Sequence, residues 1–375
     1  MKTKNLIFSL SVLIFISCTS NDPLRTEDGM TVIALLDVKE EGNDYAIQKI
    51  VPLETTSDNL MGMYLRAKIA GDELFVLDED IKDAVHRFDI SGKYKGAVAQ
   101  SGEGPGMVNN MYDFLIDGDT LEVLTGKGSH SEIVKVSLTD GGSRHLPLDL
   151  IGDSFEKLDN GNYIIYAGYN LPHVTHRLVE LNPAGVEVKR DFINDYKNEM
   201  LPMIERNFQK MGADVFFKEA FNPVTYRIGS DTIEPRFEFD FGRYRIPSRF
   251  WEIDIMQGFE MINSSGFADI YQYYENDRYA FFEIYIQDNK GIENHQVIMD
   301  KQNNTVSRRV FPKNENSVFY QSAGFTGDNE LMFIAPASFL KDYADKKDLD
   351  ANVQPVVGNM DRENNPVLLY VKIDG

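Results

Sequence analysis

The chain alternates between short apolar runs and turn residues, without a sustained helical period. Between residues 71 and 106 three such runs follow one another: ELFVL at 73–77, AVHRF at 84–88 and YKGAVA at 94–99. Gly71 and Gly92 lie in the turns, where a tight antiparallel meander needs residues that tolerate positive φ. The stretch therefore predicts three strands of one sheet, followed by the glycine-rich loop GEGPG at 102–106.

The same unit, a turn followed by five to eight apolar residues, recurs along the chain. It begins at Gly71, Gly118, Asn160, Asn276 and Gly327. Periods of about 40–50 residues are typical of propeller blades. The longer interval before Asn276 has room for two further periods or for one unit plus an insertion, and strands are predicted there at 225–228 and 236–241. We therefore predict an all-β fold, a six-bladed β-propeller.

The ends of the chain are expected to meet. The last apolar run, PVLLYVKI at 366–373, lies at the C-terminus, and either 32–38 or 46–53 near the N-terminus could complete its sheet. Such pairing leaves no open edge between the first and last blades.

Short helical insertions are predicted where the strand pattern breaks. The three segments are 194–212, 250–262 and 338–353, each with apolar residues at helical spacing or a charged helical composition. We expect these helices to cover one face of the propeller. Trp251 could line a ligand site there, although packing of helix on sheet is the expected role.

The N-terminus predicts export. Lys2 and Lys4 precede the apolar run 6–16, which is too short to span a membrane and typical of a secretory signal. Cys18, the only cysteine, follows directly and is predicted to carry the lipid of a bacterial lipoprotein. The alternative is an ordinary signal peptide with an incidental cysteine. The predicted domains are the signal at 1–17, a tether and N-terminal strand at 18–45, and the propeller at 46–375.

Charge and cysteine content exclude several classes of protein. The formal net charge of −21 argues against binding nucleic acid and against lying flat on anionic lipid. A single cysteine allows no intramolecular disulfide, so the fold depends on its apolar core.

Several phrases resemble the six-bladed β-propeller lipoproteins of Bacteroidetes, which are loosely related to NHL-type propellers. The matching phrases are VPLETT at 51–56, LFVLD at 74–78, FDISGKY at 88–94, GEGPG at 102–106, YRIGSDTIEPRFEFDFG at 226–242 and NPVLLYVKI at 365–373. Met107 departs from the glutamate that usually follows GEGPG. The resemblance implies a fold and an envelope location, and it supplies no catalytic residue.

Three groups of side chains are candidates for chemistry. His173 and His176 are three residues apart, which on a strand directs them to opposite faces and disfavours a shared metal. A second group could hold calcium but lacks the glycine and glutamate of an EF-hand: Asp78, Asp80 and Asp83. A third group could stack on sugar rings or peptides, although alternation within strands also explains it: Tyr271, Tyr273, Tyr274, Tyr279 and Tyr285.

The sequence favours a lipid-anchored binding or interaction module of the outer membrane, facing the periplasm or the cell surface. Its partners would be the membrane, through the anchor, and a glycan, a peptide or an envelope protein. No catalytic residue or cofactor site is predicted, and the metal site is left open, with calcium as the candidate ion. The alternative is a calcium-dependent hydrolase or lyase whose acids converge in the central channel from different blades.

Overall fold

The computed structural model describes residues 22–81, 84–102, 104, 107–127, 130–169, 174–194, 206–312 and 316–373. Several predicted features lie outside these ranges: Cys18, Asp83, His173 and residues 103, 105 and 106 of the GEGPG loop. Within the described ranges, six sheets follow one another along the chain as the blades of a six-bladed β-propeller, as predicted.

The strands are named in chain order. Three N-terminal strands come first: β1 (Leu24–Glu27), β2 (Met30–Ala34) and β3 (Ile47–Pro52). Blade one holds β4 (Leu65–Ala70), β5 (Glu73–Asp78), β6 (Ala84–Asp89) and β7 (Tyr94–Gln100). Blade two holds β8 (Met111–Asp117), β9 (Thr120–Lys127), β10 (His130–Ser137) and β11 (Ser143–Pro147). Blade three holds β12 (Ser154–Lys157), β13 (Tyr163–Tyr166), β14 (His176–Leu181) and β15 (Glu187–Ile193).

The second half of the ring follows the same plan. Blade four holds β16 (Phe208–Met211), β17 (Asp214–Phe217), β18 (Val224–Ile228) and β19 (Ile233–Asp240). Blade five holds β20 (Phe267–Glu275), β21 (Tyr279–Asp288), β22 (Gly291–Asp300) and β23 (Thr305–Pro312). Blade six holds β24 (Ser322–Phe325), β25 (Glu330–Ala335) and β26 (Val367–Lys372).

The first strand of each blade lies innermost. Contacts between neighbouring blades join β8 to β12, β12 to β16, β16 to β20, β20 to β24 and β24 to β4. These six strands surround a central channel. The recurrent turns of the sequence lie between the first and second strands, as Gly71 does between β4 and β5. The apolar run that follows each recurrent turn is therefore the second strand of a blade. The innermost strand, which precedes the turn, was not predicted.

The ring closes with β3 as the outermost strand of blade six. It pairs antiparallel with β26, with Val51 opposite Leu368, so the alternative at 46–53 is the correct one. The other alternative, 32–38, is wrong because β2 runs parallel to β19 and extends blade four, and β1 pairs with β2. Residues 18–45 thus contribute two strands to a sheet.

Helices occupy two connections between strands. Helix α1 (Ile255–Ser265) precedes β20, and its N-terminus is capped by the Asp254 side chain, which accepts from the backbone N–H of Met256 at 3.0 Å. Helices α2 (Ala337–Ala344) and α3 (Gln354–Gly358) lie between β25 and β26. Short 3-10 turns cover Leu35–Asp37, Gly242–Tyr244 and Ser248–Trp251. None of the helices in the described ranges is long and apolar enough to cross a membrane.

The predicted helices are corrected in detail. The segment 250–262 begins as the 3-10 turn and continues as α1, and 338–353 contains most of α2 while α3 begins just after it. The helix predicted at 194–212 is wrong at its end, because Phe208–Met211 forms β16, while 195–205 lies outside the described residues. Phe208 packs on Phe217 of β17 at 5.2 Å between ring centroids, a contact between neighbouring strands.

Apolar side chains fill the space between neighbouring blades. Phe75 of blade one and Phe114 of blade two share one buried cluster, and equivalent clusters follow around the ring. Trp251 packs against Phe250 and Tyr169 at 5.0 and 5.4 Å between ring centroids. It therefore belongs to a packing cluster beside α1, in agreement with the expected role.

Replacing Gly92 by alanine tests how tightly blade one packs on the closing strand. Gly92 has φ +86°, and an added Cβ would lie 2.1 Å from the Pro52 carbonyl oxygen in β3. Gly71 is the matched control, with φ +59° and open space around it. We expect Gly92→Ala to lower the free energy of unfolding by at least about 3 kcal/mol and Gly71→Ala by about 1 kcal/mol, measured by urea unfolding. Equal losses would contradict this packing.

Candidate functional site

The central channel has two distinguishable ends. The turns between first and second strands lie at one end, here called the hairpin end. The connections between blades and all three helices lie at the other, here called the loop end, because the chain enters each innermost strand there. A cavity of about 730 Å³ occupies the hairpin end, bounded by residues such as Ala70, Met211 and Phe325 at the ends of innermost strands. We call it the large cavity.

Charges of both signs line the large cavity. The cations are Lys49, Lys68 and Lys210, and the acids are Asp72, Glu156, Asp328 and Glu330. They come from blades one, three, four and six. Such a wall offers hydrogen-bond donors and acceptors to a hydrophilic ligand, beside apolar residues such as Ile116 and Met332.

The lysines of this cavity are held in distinct ways. Lys68 Nζ lies 3.8 Å from Asp113 Oδ1 and 3.7 Å from Glu156 Oε2, between two carboxylates of neighbouring blades. Lys210 Nζ donates to the carbonyl oxygen of Lys157 at 2.6 Å. Burial raises the pKa of Glu156, and the charge of Lys68 acts in the opposite direction. Lys68 and Lys210 thus hold fixed positive charge at the channel wall.

A second, small cavity of about 40 Å³ lies deeper in the channel, and we call it the mid-channel cavity. Among its lining residues are Arg66, Lys68, Asp113, Arg206, Gln272 and Ser322. The two cavities share Ala67, Lys68, Gln209 and Ala323 in their walls. They are therefore adjacent along the channel.

An ion-pair network fixes the arginines of the mid-channel cavity. Arg66 Nη1 lies 2.6 Å from Asp113 Oδ1, and Arg66 Nη2 lies 2.7 Å from Glu79 Oε1. Arg206 contacts the other oxygen of Glu79. Burial alone would raise the pKa of Glu79, but the charges of Arg66 and Arg206 and their hydrogen bonds lower it to about 2. Blades one, two and four are connected through these charges.

Blades five and six carry buried polar atoms without partners in the wall of the mid-channel cavity or directly behind it. Gln272 Nε2, Glu283 Oε2 and Ser322 Oγ are buried and form no hydrogen bond in the structure. Their residues are 4, 1 and 2% exposed. Gln272 and Glu283 are opposite one another in β20 and β21, and Ser322 N–H donates to Glu283 Oε1 at 3.2 Å. Because unpaired buried polar atoms are rare in folded proteins, this wall is a candidate for ligand contact.

Glu283, behind this wall, has a strongly perturbed carboxyl group. Burial raises its pKa from the ordinary value of 4.5 to about 8, against the hydrogen bond from the Ser322 N–H and the more distant charge of Arg206. Below that pH the side chain is neutral, and its hydroxyl can donate a hydrogen bond.

Two of the five candidate tyrosines lie near the loop end. Tyr271 and Tyr285 stack with ring centroids 4.6 Å apart, and Tyr285 also stacks on Tyr320 at 6.1 Å. Tyr271 lies close enough to Arg206 and Glu79 for their charges to act on its pKa, which burial raises. The other three, Tyr273, Tyr274 and Tyr279, are buried between blades. Tyr273 and Tyr274 also contribute to the lining of the mid-channel cavity.

The remaining sequence candidates do not converge on the channel. Asp78 accepts from the backbone N–H of Gly62, Asp80 and Ile81 at 2.5, 2.9 and 3.1 Å, which makes it a turn-stabilising residue. His176 Nδ1 lies 3.1 Å from Thr175 Oγ1. In the described ranges no three His, Cys, Asp or Glu side chains are grouped as metal ligands.

The channel residues escaped the sequence analysis because the innermost strands did. Arg66 and Lys68 alternate with apolar residues in LRAKIA, directly before the recurrent turn at Gly71. Alternating charge just before each such turn is the signal that could have located them.

A closed six-bladed propeller with a polar, charge-lined channel is the class that fold and site define. Residues 47–372 match the DUF4934 family, a domain of unknown function, and the chain belongs to that family. No curated protein matches the sequence.

A solved structure shares the fold. A Bacteroides fragilis protein described as exported is 20% identical, with a TM-score of 0.76 over 92% of this chain and 100% of that one. At this identity the likeness shows the fold. A luciferin-regenerating enzyme is 12% identical, with a TM-score of 0.45 over 87% of this chain and 95% of that one.

Glu283→Gln tests the raised pKa. The folded carboxyl holds its proton up to about pH 8 and the unfolded one only up to about 4.5. Its contribution to stability is therefore fully present below about pH 4.5 and is lost as the pH rises toward 8. Relative to wild type, we expect Glu283→Gln to gain about 3 kcal/mol of unfolding free energy between pH 5.5 and 8, measured by urea titrations.

The matched control is Glu234→Gln, the same chemical change at an exposed position of β19. It is expected to leave the pH profile of stability as in wild type. A Glu283→Gln profile parallel to wild type would show that Glu283 is ionised throughout this range.

Proposed function

We propose that this protein is an exported binding module that holds a small hydrophilic ligand, of the glycan or peptide class, in the large cavity. One observation carries the proposal: charged side chains from four blades face a single cavity of about 730 Å³ on the channel axis. That volume is within the range of small-molecule sites. Lysines and carboxylates together suit a ligand with both hydrogen-bond donors and acceptors.

The proposed location is the cell envelope. The N-terminal pattern is that of a lipoprotein signal, and Cys18 is proposed as the lipid-bearing residue that anchors the propeller to the outer membrane. The related Bacteroides fragilis structure is described as an exported protein, which supports export. The relation to NHL-type propellers and a partner among the envelope proteins belong to the same proposal.

Pairing of the channel acids favours binding over metal-assisted hydrolysis. Asp113 and Glu79 each contact an arginine, and Glu156 lies 3.7 Å from Lys68 Nζ. A carboxylate in an ion pair gives up that partner before it can bind calcium, which lowers its affinity for the metal. The hydrolase or lyase therefore ranks second.

Lys210→Met tests the cavity as the binding site. The change removes a charged donor at the cavity wall and keeps an unbranched side chain. A glycan or peptide that raises the unfolding midpoint of wild type is expected to bind this variant at least about tenfold more weakly by calorimetry.

The matched control is Lys93→Met, at an exposed position in the β6–β7 turn, and it is expected to retain wild-type affinity. Undiminished affinity of Lys210→Met for the same ligand would place the binding site outside the large cavity.

A further inference from the structure

The mid-channel cavity is buried, and two polar atoms in its wall have no hydrogen-bond partner. Gln272 Nε2 and Ser322 Oγ both belong to lining residues, both are buried, and neither has a hydrogen-bond partner. A volume of about 40 Å³ is enough for one water molecule or one small ion. Leaving a buried N–H donor unsatisfied is costly, so an occupant that accepts its hydrogen bond is expected.

Charge and donor chemistry decide the kind of occupant. The cavity is lined by the cations Arg66, Lys68 and Arg206 and by one carboxylate, that of Asp113. Two carboxyl groups outside this lining, Glu79 beside both arginines and Glu156 3.7 Å from Lys68 Nζ, bring the number of acids near the cavity to three. Burial raises the pKa of Glu156, which favours its neutral form. The Gln272 amide offers an N–H and the Ser322 hydroxyl an O–H. Three cations in the lining together with unpaired donors favour an anion over a cation.

We propose that the mid-channel cavity is a binding site for one small monovalent anion, held by Gln272 Nε2 and Ser322 Oγ in the positive field of Lys68 and the two arginines. The anion is either a free ion, such as formate or chloride, or the carboxylate group of a larger ligand. The second possibility, the carboxylate of a larger ligand, rests on the proposed function. Lys68, Gln209 and Ala323 line both cavities, so a carboxylate at the end of a ligand in the large cavity can reach this site.

The neighbouring carboxyl group is compatible with an anion. Glu283 lies behind Ser322, whose N–H donates to Glu283 Oε1, and burial keeps this carboxyl protonated at neutral pH. It therefore adds no negative charge to the wall there. Below pH 7 the affinity for an anion should be constant as far as Glu283 is concerned, and above pH 8 it should fall as the carboxyl ionises.

The first experiment titrates the purified chain with sodium formate or sodium chloride at pH 6.5. Sodium isethionate, whose anion is too large for the cavity, keeps the ionic strength constant. Formate and chloride are expected to raise the unfolding midpoint with the logarithm of their concentration above Kd, by roughly 4 °C at a hundredfold excess over Kd. A cavity that holds only water gives no shift beyond that in isethionate with either anion, and that result would overturn the proposal.

The variant Gln272→Met tests whether the anion that raises the unfolding midpoint binds in the mid-channel cavity. Methionine keeps the side-chain volume and removes the donor, and because that donor is unpaired the variant should keep its midpoint in isethionate alone. It is expected to lose the formate shift, whereas Gln257→Met, at an exposed position of α1, retains it. If Gln272→Met fails to fold, Ser322→Ala is used for the same comparison. A full shift in the folded channel variant would place the anion elsewhere and overturn the proposal.

A final experiment distinguishes a free anion from the carboxylate of a larger ligand. It also tests the anion site separately from the proposed ligand of the large cavity. Glucuronate and glucose differ by the carboxylate, so binding of glucuronate that formate inhibits competitively assigns the site to the carboxylate of a larger ligand. If formate raises the unfolding midpoint but neither glucuronate nor any other glycan or peptide binds, the anion site is kept and the ligand in the large cavity is rejected. A ligand bound in the large cavity, with no anion shift, rejects the anion site alone.

Discussion

Main-chain pairing of β3 with β26 is the constraint on which the rest of the structure depends. The register runs from Pro52 opposite Val367 to Ile47 opposite Val371, joining segments from opposite ends of the chain. Asn365, just before β26, reinforces the closure, because its side chain donates to the Asn59 carbonyl oxygen at 2.9 Å and accepts from Met61 N–H at 3.0 Å. Closure of this kind holds the two ends of the chain together in one blade and so fixes the ring.

The channel exists because the ring is closed. With blades six and one adjacent, the Gln321 side chain donates to the Leu65 carbonyl oxygen, and Arg206 reaches the same oxygen from blade four at 3.2 Å. Ion pairs through Glu79 and Asp113 then link three blades around the axis. A chain with a net charge of −21 thus encloses a passage in which lysines and arginines are fixed beside carboxyl groups and partly desolvated. Whole-chain charge therefore does not describe the site.

Sequence patterns predicted the fold better than the site. Turns such as Gly71 and Gly118 mark hairpins whose second strands are largely apolar, so periodicity finds five of them. The long interval before Asn276 supplies the sixth blade. The innermost strands carry Arg66, Lys68 or Gln272 toward the channel, and these polar positions interrupt the apolar pattern. Which N-terminal strand closes the ring depends on tertiary packing, as the parallel pairing of β2 with β19 shows. Convergence of side chains from different blades has no signature in any one segment.

The most direct test of the channel as a binding site is anomalous diffraction from crystals soaked in sodium bromide. Bromide is a monovalent anion of about the size that the mid-channel cavity admits, and its anomalous signal identifies it without reference to the protein. We expect a strong peak in the channel within hydrogen-bonding distance of Gln272 Nε2 and Ser322 Oγ. Bromide peaks confined to surface lysines and arginines, with the channel containing only water, would contradict an anion site in the channel.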